Sequence, residues 1–168
     1  ATVDVQMSPR PNWPVLRTGG GEIDQGLFGL VPLLRISALA PGSVNVGVLM
    51  PGDAIMAIGT TQGPRMKQLR DAITSNGPGA IDLTIWRDGQ VLPVTAQIYE
   101  QGLLQPEPKL GVNLGQAWDV LRVAQPIRDI ECDVDDQGSL QTVKTPVADS
   151  GILGSSRILS AHGQEIED

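Results

Sequence analysis

Cysteine and histidine each occur once, tryptophan three times, and tyrosine and phenylalanine once each. With Cys132 alone, the chain can close no internal disulfide, so its cysteine usage does not tell a reducing compartment from an oxidising one. A zinc site needs three or four nitrogen, sulfur or carboxylate ligands, and one Cys with one His makes a protein-only site a poor expectation. The His-Glu-x-x-His pair of a zinc peptidase needs two histidines and is excluded. Cations are also scarce: 12 Lys plus Arg against 19 Asp plus Glu leave a net charge of -7, the wrong sign for a phosphate backbone. No long apolar run is present either. The longest nearly unbroken stretch, Gly26 to Leu34, contains Pro32 and falls far short of the roughly 20 residues that span a bilayer. Asp4 interrupts any apolar run at the start, so no signal-peptide pattern opens the sequence.

What is present is an aliphatic composition, 40% hydrophobic with only 3% aromatic, too apolar for a disordered chain. Twenty glycines and thirteen prolines punctuate it at short intervals, which favours many short strands over a helical bundle. Val3, Val5 and Met7 alternate with Asp4 and Gln6 as a half-buried strand, and residues 8–25, with Gly19-Gly20-Gly21, read as a linker. A strand is expected over Leu33–Leu39, a turn at Pro41-Gly42-Ser43, a second turn at Pro51-Gly52-Asp53 and a strand over Ala54–Ile58. Met66, Leu69, Ala72 and Ile73 recur at helical spacing, so a helix is expected over residues 65–74, between Gly63-Pro64 and Asn76-Gly77. Ile81, Leu83 and Ile85 alternate with polar residues, and Asp88-Gly89 before Val94, Ala96 and Ile98 predicts a hairpin. The composition shifts to Gly, Gln, Pro and Glu over Gln101–Pro108, where a domain boundary is expected.

Placing Ile55 on Ile158 exposes an internal repeat: Leu49-Met50-Pro51-Gly52-Asp53-Ala54-Ile55-Met56-Ala57-Ile58 aligns with Ile152-Leu153-Gly154-Ser155-Ser156-Arg157-Ile158-Leu159-Ser160-Ala161. The run Ile36-Ser37-Ala38-Leu39-Ala40-Pro41-Gly42-Ser43, followed by Pro51-Gly52-Asp53 and its strand, resembles the central signature of PDZ domains. Pro146-Val147-Ala148-Asp149-Ser150-Gly151-Ile152 through Gln164 resembles the same signature a second time. Gly59-Thr60 departs from the Asn-Gly step frequent in that family, and Gly47-Val48 matches its Gly-Leu step only loosely. The resemblance implies a mainly β, α+β fold: a PDZ-like, partly open small barrel with capping helices, in two tandem units. Its divisions are an N-terminal strand and linker over 1–25, a first unit over 26–103, and a second over 104–168 that stops before its own groove helix. Tandem units with a Pro-containing linker resemble the extracytoplasmic insert of bacterial site-2 proteases, membrane-embedded zinc metallopeptidases. Deg-type serine proteases are the rival parent.

PDZ domains add an extended peptide to a sheet edge and hold its terminal carboxylate with loop N–H groups. Gly26-Leu27-Phe28-Gly29-Leu30 resembles that carboxylate loop, and Met66 and Arg70, four apart on the helix, are expected to face the groove while Leu69 and Ile73 face the core. Against this stands a plainer reading, an apolar lead-in strand, Met66 as core and Arg70 as a solvated charge; Pro32 also removes a donor from that edge. Asp133-Val134-Asp135-Asp136-Gln137-Gly138 mimics the start of a calcium loop, but its twelfth position is Lys144 instead of a bidentate Glu, so an acidic turn is expected. His162 reads as a turn residue and Cys132 as a quiet thiol.

The expectation is a non-catalytic segment, without a cofactor of its own, that recognises or excludes polypeptide substrates for the catalytic membrane domain of a parent protease. Its partners are an extended polypeptide or protein C-terminus and that domain, whose zinc lies outside this chain, at the extracytoplasmic (periplasmic) face of a bacterial membrane. A steric gate with an unoccupied groove and a self-standing hydrolase are the competing classes; no residue constellation sets up the hydrolase.

Overall fold

The computed structural model describes residues 16–17, 23–24, 29–102, 106–127, 129–133, 140–145, 147–161 and 164–165. In chain order these form β1 (Leu16–Arg17), β2 (Ile23–Asp24), β3 (Leu34–Leu39), β4 (Ala54–Ile58), β5 (Thr61–Gln62), α1 (Met66–Asn76), β6 (Gly79–Arg87), β7 (Gln90–Gln101), β8 (Glu107–Lys109), β9 (Val112–Gln116), β10 (Asp129–Asp133), β11 (Leu140–Lys144), β12 (Ser160–Ala161) and β13 (Gln164–Glu165). The strand expected over residues 1–7 lies outside the described residues, as does most of the acidic turn after Asp133.

One antiparallel sheet dominates, in the order β8-β7-β6-β4-β3-β9, with β5 branching from β4. Its two ends, β8 and β9, are joined by Leu110 and Gly111 alone, so the sheet must curl back on itself. The hairpin between β6 and β7 turns at Asp88 and Gly89, both at positive φ (49° and 81°), the backbone an Asp-Gly two-residue turn favours. Inside it, Ile81, Leu83 and Ile85 are buried, opposite Ala96, Val94 and Leu92, as period-two alternation requires. Pro93 pairs with Thr84 on β6, well away from the β7 residues that pair with β8.

Helix α1 starts after the buried Pro64 and ends at Gly77, whose φ of 66° lets its N–H reach the Ile73 carbonyl (3.1 Å). The Gln68 side chain turns back to accept the Arg65 N–H at 2.9 Å. Leu69 and Ile73 are the buried helix residues, the face the spacing predicts. They join Leu34, Ile36, Ile55, Ile58, Ile85 and their neighbours in the main core.

Every residue of β4 is buried, because a second cluster covers its other face: Val31, Leu33, Ala54, Met56, Ala117, Ala124 and Ile127. The chain from Ala117 to Ile127 runs beside residues 29–33, its amides at Ala117, Ala124 and Ile127 donating to the carbonyls of Leu33, Val31 and Gly29 at 2.8, 2.7 and 2.9 Å. The segment around Glu107–Val112, which its composition suggests is a connection, supplies β8 and the first residue of β9 to the sheet. Pro108 is tolerated there because β8 is an edge strand.

Two polar contacts tie the long connection between β3 and β4 to the sheet. Buried Asn45 donates from Nδ2 to the carbonyls of Gln97 (2.9 Å) and Leu110 (2.8 Å) and accepts the Gln97 N–H (2.7 Å). Asp53 accepts from Nε and Nη2 of Arg87 at 2.7 Å each and from the Met50 N–H at 2.8 Å. That bidentate bond holds the Arg87 pKa above its ordinary value, against the opposing effect of burial.

Candidate functional site

Of the two elements expected to form one groove, the described residues 29–33 lead into the cluster of Val31 and Leu33, whereas Met66 packs on the main core. Gly26, Leu27 and Phe28 lie outside the described residues. Gly29 is buried at φ 91°, where a Cβ would stand 2.6 Å from both the Ile127 carbonyl oxygen and Thr145 Oγ1. Leu30 follows, half-buried, and Pro32 bridges to Val123. Residues 29–33 therefore present their bonded carbonyls to the chain's own 117–127 segment. Met66, by contrast, is half-buried against the main core, with exposed Arg70 one helical turn later.

Strand β9 packs on the same core as that helix face. Val112 and Leu114 are half-buried against the same core as Met66, and α1 approaches β8, the strand that leads into β9. Only one edge of β9 is paired within the sheet: Val112 opposes Leu39, Leu114 opposes Ile36 and Gln116 opposes Leu34. Among the described residues no further strand lies beyond it in the sheet order. A half-buried apolar strand at a sheet edge, beside a helix, is the geometry that strand addition uses.

The loop between β8 and β9 is built to hold its backbone still. Leu110 is buried and its carbonyl accepts from Asn45; the Gly111 carbonyl accepts the Ala40 N–H at 2.9 Å. Because trans peptides set each N–H opposite the preceding carbonyl, the Gly111 N–H points away from Asn45 and the Val112 N–H away from Ala40. Gly111 sits at φ 72°, and a Cβ there would stand 2.5 Å from Tyr99 Oη and 2.7 Å from Ser43 Oγ. Only glycine satisfies both the dihedral and the space. Gly111→Ala is accordingly expected to destabilise by about 1–3 kcal/mol, measured by denaturant titration, through backbone strain and the displacement of Tyr99. In the sequence Lys109-Leu110-Gly111-Val112 reads as part of a Pro-containing linker, since it follows Pro106 and Pro108; the local mark of the turn is a Gly between two apolar residues.

The remaining candidates are quickly placed. Lys144, the twelfth position of the calcium-like run, pairs with Asp149 at 3.2 Å, while residues 134–139 fall outside the described set. Among the described residues no cluster of His, Cys, Asp and Glu can hold a metal ion, and no helix is long and apolar enough to cross a membrane.

No protein-family model matches the chain, and no curated protein matches it. Among solved structures, the PDZ domain of an SdrC-like protein from Listeria monocytogenes resembles it with a TM-score of 0.45 at 15% identity, covering 49% of this chain and 87% of that one.

Proposed function

We propose that this chain is a non-catalytic peptide-recognition module that takes an extended polypeptide as an added strand along β9. In this reading the amides of Gly111 and Val112 receive the ligand's terminal carboxylate, Val112 and Leu114 line one wall, and Met66 and Arg70 line the other. The observation that carries the proposal is the loop at Gly111: its carbonyls are turned inward by Asn45 and Ala40, and it feeds directly into an edge strand. Backbone N–H groups held in such a concavity favour an anion. The resemblance to the extracytoplasmic insert of site-2 proteases supplies the proposed context, a bacterial envelope protease whose zinc-bearing catalytic domain lies outside this chain.

Titrating the isotope-labelled chain with a C-terminal peptide library tests the reading. Shifts are expected at residues 110–116 together with Met66 and Arg70, at an affinity on the order of micromolar or poorer, because the peptide must be ordered on a shallow edge. Amidating the peptide should abolish them. Shifts at residues 29–33 instead would move the site to the segment the sequence suggests. No binding at all would favour a steric gate, a role that the occupied carbonyls of residues 29–33 suit.

A further inference from the structure

The turn that launches helix α1 is gripped by a segment from the far end of the chain. Gly63, at φ 53°, and Gly154 meet back to back: a Cβ on Gly63 would stand 2.7 Å from Gly154 Cα, and one on Gly154 would overlap the Gln62 carbonyl oxygen. Both glycines are buried. On one side of the contact the Gly63 N–H donates to the Met56 carbonyl at 2.6 Å. On the other, Gln125 donates its backbone N–H to the Gly63 carbonyl (2.6 Å) and its Nε2 to the Gln62 carbonyl (2.8 Å). Ser155 Oγ donates to the same Met56 carbonyl, while the Ser155 N–H reaches the Val123 carbonyl at 2.7 Å and the Val123 N–H reaches Ser156 at 3.0 Å. Arg122 seals the edge, donating to the Ser155 carbonyl at 3.2 Å with its guanidinium 5.0 Å above the Trp86 ring.

We propose that Leu153–Ser156 is a positioning wedge that sets where α1 begins and thereby the seating of Met66 and Arg70 beside β9, an inference that rests on the peptide-recognition reading above. Two residues, Pro64 and Arg65, separate Gly63 from Met66, and Pro64 is fully buried with its φ locked by the ring. No slack exists to absorb a shift of the turn. A displacement there passes into the helix as a rigid body, because intrahelical hydrogen bonds couple successive turns. The wedge thus links the C-terminal part of the chain to the proposed groove, and by reciprocity a peptide that draws α1 toward β9 must also favour or oppose wedge docking.

The experiment uses the full chain. Gly154→Val is expected to raise amide exchange across residues 63–69 by about tenfold or more, to shift the Met66 methyl resonance, and to weaken peptide binding severalfold under conditions where the chain remains folded. Gln125→Ala, which removes one bond to Gln62, should move the same signals in the same direction by less and guards against misfolding of the valine variant. Leu159→Ser, outside the wedge at a residue 51% exposed, should leave all of them unchanged. A merely structural role would lower the melting temperature while leaving the Met66 resonance and the affinity of the folded protein alone. Wild-type exchange and an unmoved Met66 signal in both wedge variants would overturn the proposal. Exchange and methyl signals decide it without any peptide, so a chain that binds none would overturn the proposed function alone.

Discussion

Asp53→Ala is expected to cost about 3–5 kcal/mol of stability. Asp53 is 1% exposed and accepts three hydrogen bonds, two from Arg87 and one from Met50. Removing the carboxylate leaves the partly buried guanidinium without its counter-charge, while the Met50 amide loses its acceptor. It also frees the loop that Arg87 further anchors through the Val48 carbonyl at 2.9 Å. Location, not charge pairing as such, sets the magnitude. The Lys67–Asp71 pair is as short, at 2.6 Å, but both side chains are more than half exposed, and breaking it should change stability by no more than about 0.5 kcal/mol. Chemical denaturation of both variants checks the contrast; similar losses would show that the Asp53 site is far more hydrated than its burial indicates.

Leu69→Ala should destabilise by about 2–5 kcal/mol, and Ile73→Ala by an amount toward the lower end of that range, since Leu69 is 1% exposed and Ile73 is 9%. Truncating Leu69 opens a void between α1 and the strands that carry Ile36, Ile55 and Ile85, where the packed sheet cannot collapse to fill it. Lys67→Ala, two residues before Leu69 on the exposed face, serves as the control at about 0.5 kcal/mol or less. Denaturant midpoints with an unchanged slope would attribute the losses to the folded core. Equal effects at all three positions would mean the helix presents a different face to the sheet.

These two predictions differ in how far the sequence alone anticipates them. Leu69 and Ile73 are legible from spacing, because a helix face repeats over a few residues and both buried positions lie within one turn of each other. The same locality made the Asp88-Gly89 hairpin, the Pro51-Gly52-Asp53 turn and strand β4 readable. Asp53 looked like a turn residue, which it is; that it also closes on Arg87 depends on a strand thirty-four residues further on. The proposed site shows the same division. Met66 and Arg70 share a helix face over one turn, whereas the edge strand proposed beside them, β9 at residues 112–116, comes from dozens of residues further along, and Gly26, Leu27 and Phe28 of the expected loop lie outside the described residues.

Local chemistry, then, was enough to determine a mainly β chain, the helix around residues 65–74, where its turns fall and which face of that helix is buried. Periodicity, turn residues and caps act over a few bonds, and each leaves its mark within a short window. Only the tertiary structure decided that β9 closes the sheet against β3, that residues 117–127 cover the carbonyls of residues 29–33, and that Gly154 seats on Gly63. Each of these joins backbone groups dozens of residues apart. Main-chain hydrogen bonds are nearly indifferent to side-chain identity, so which edge meets which is set by the packing of the whole core and not by any motif along the chain.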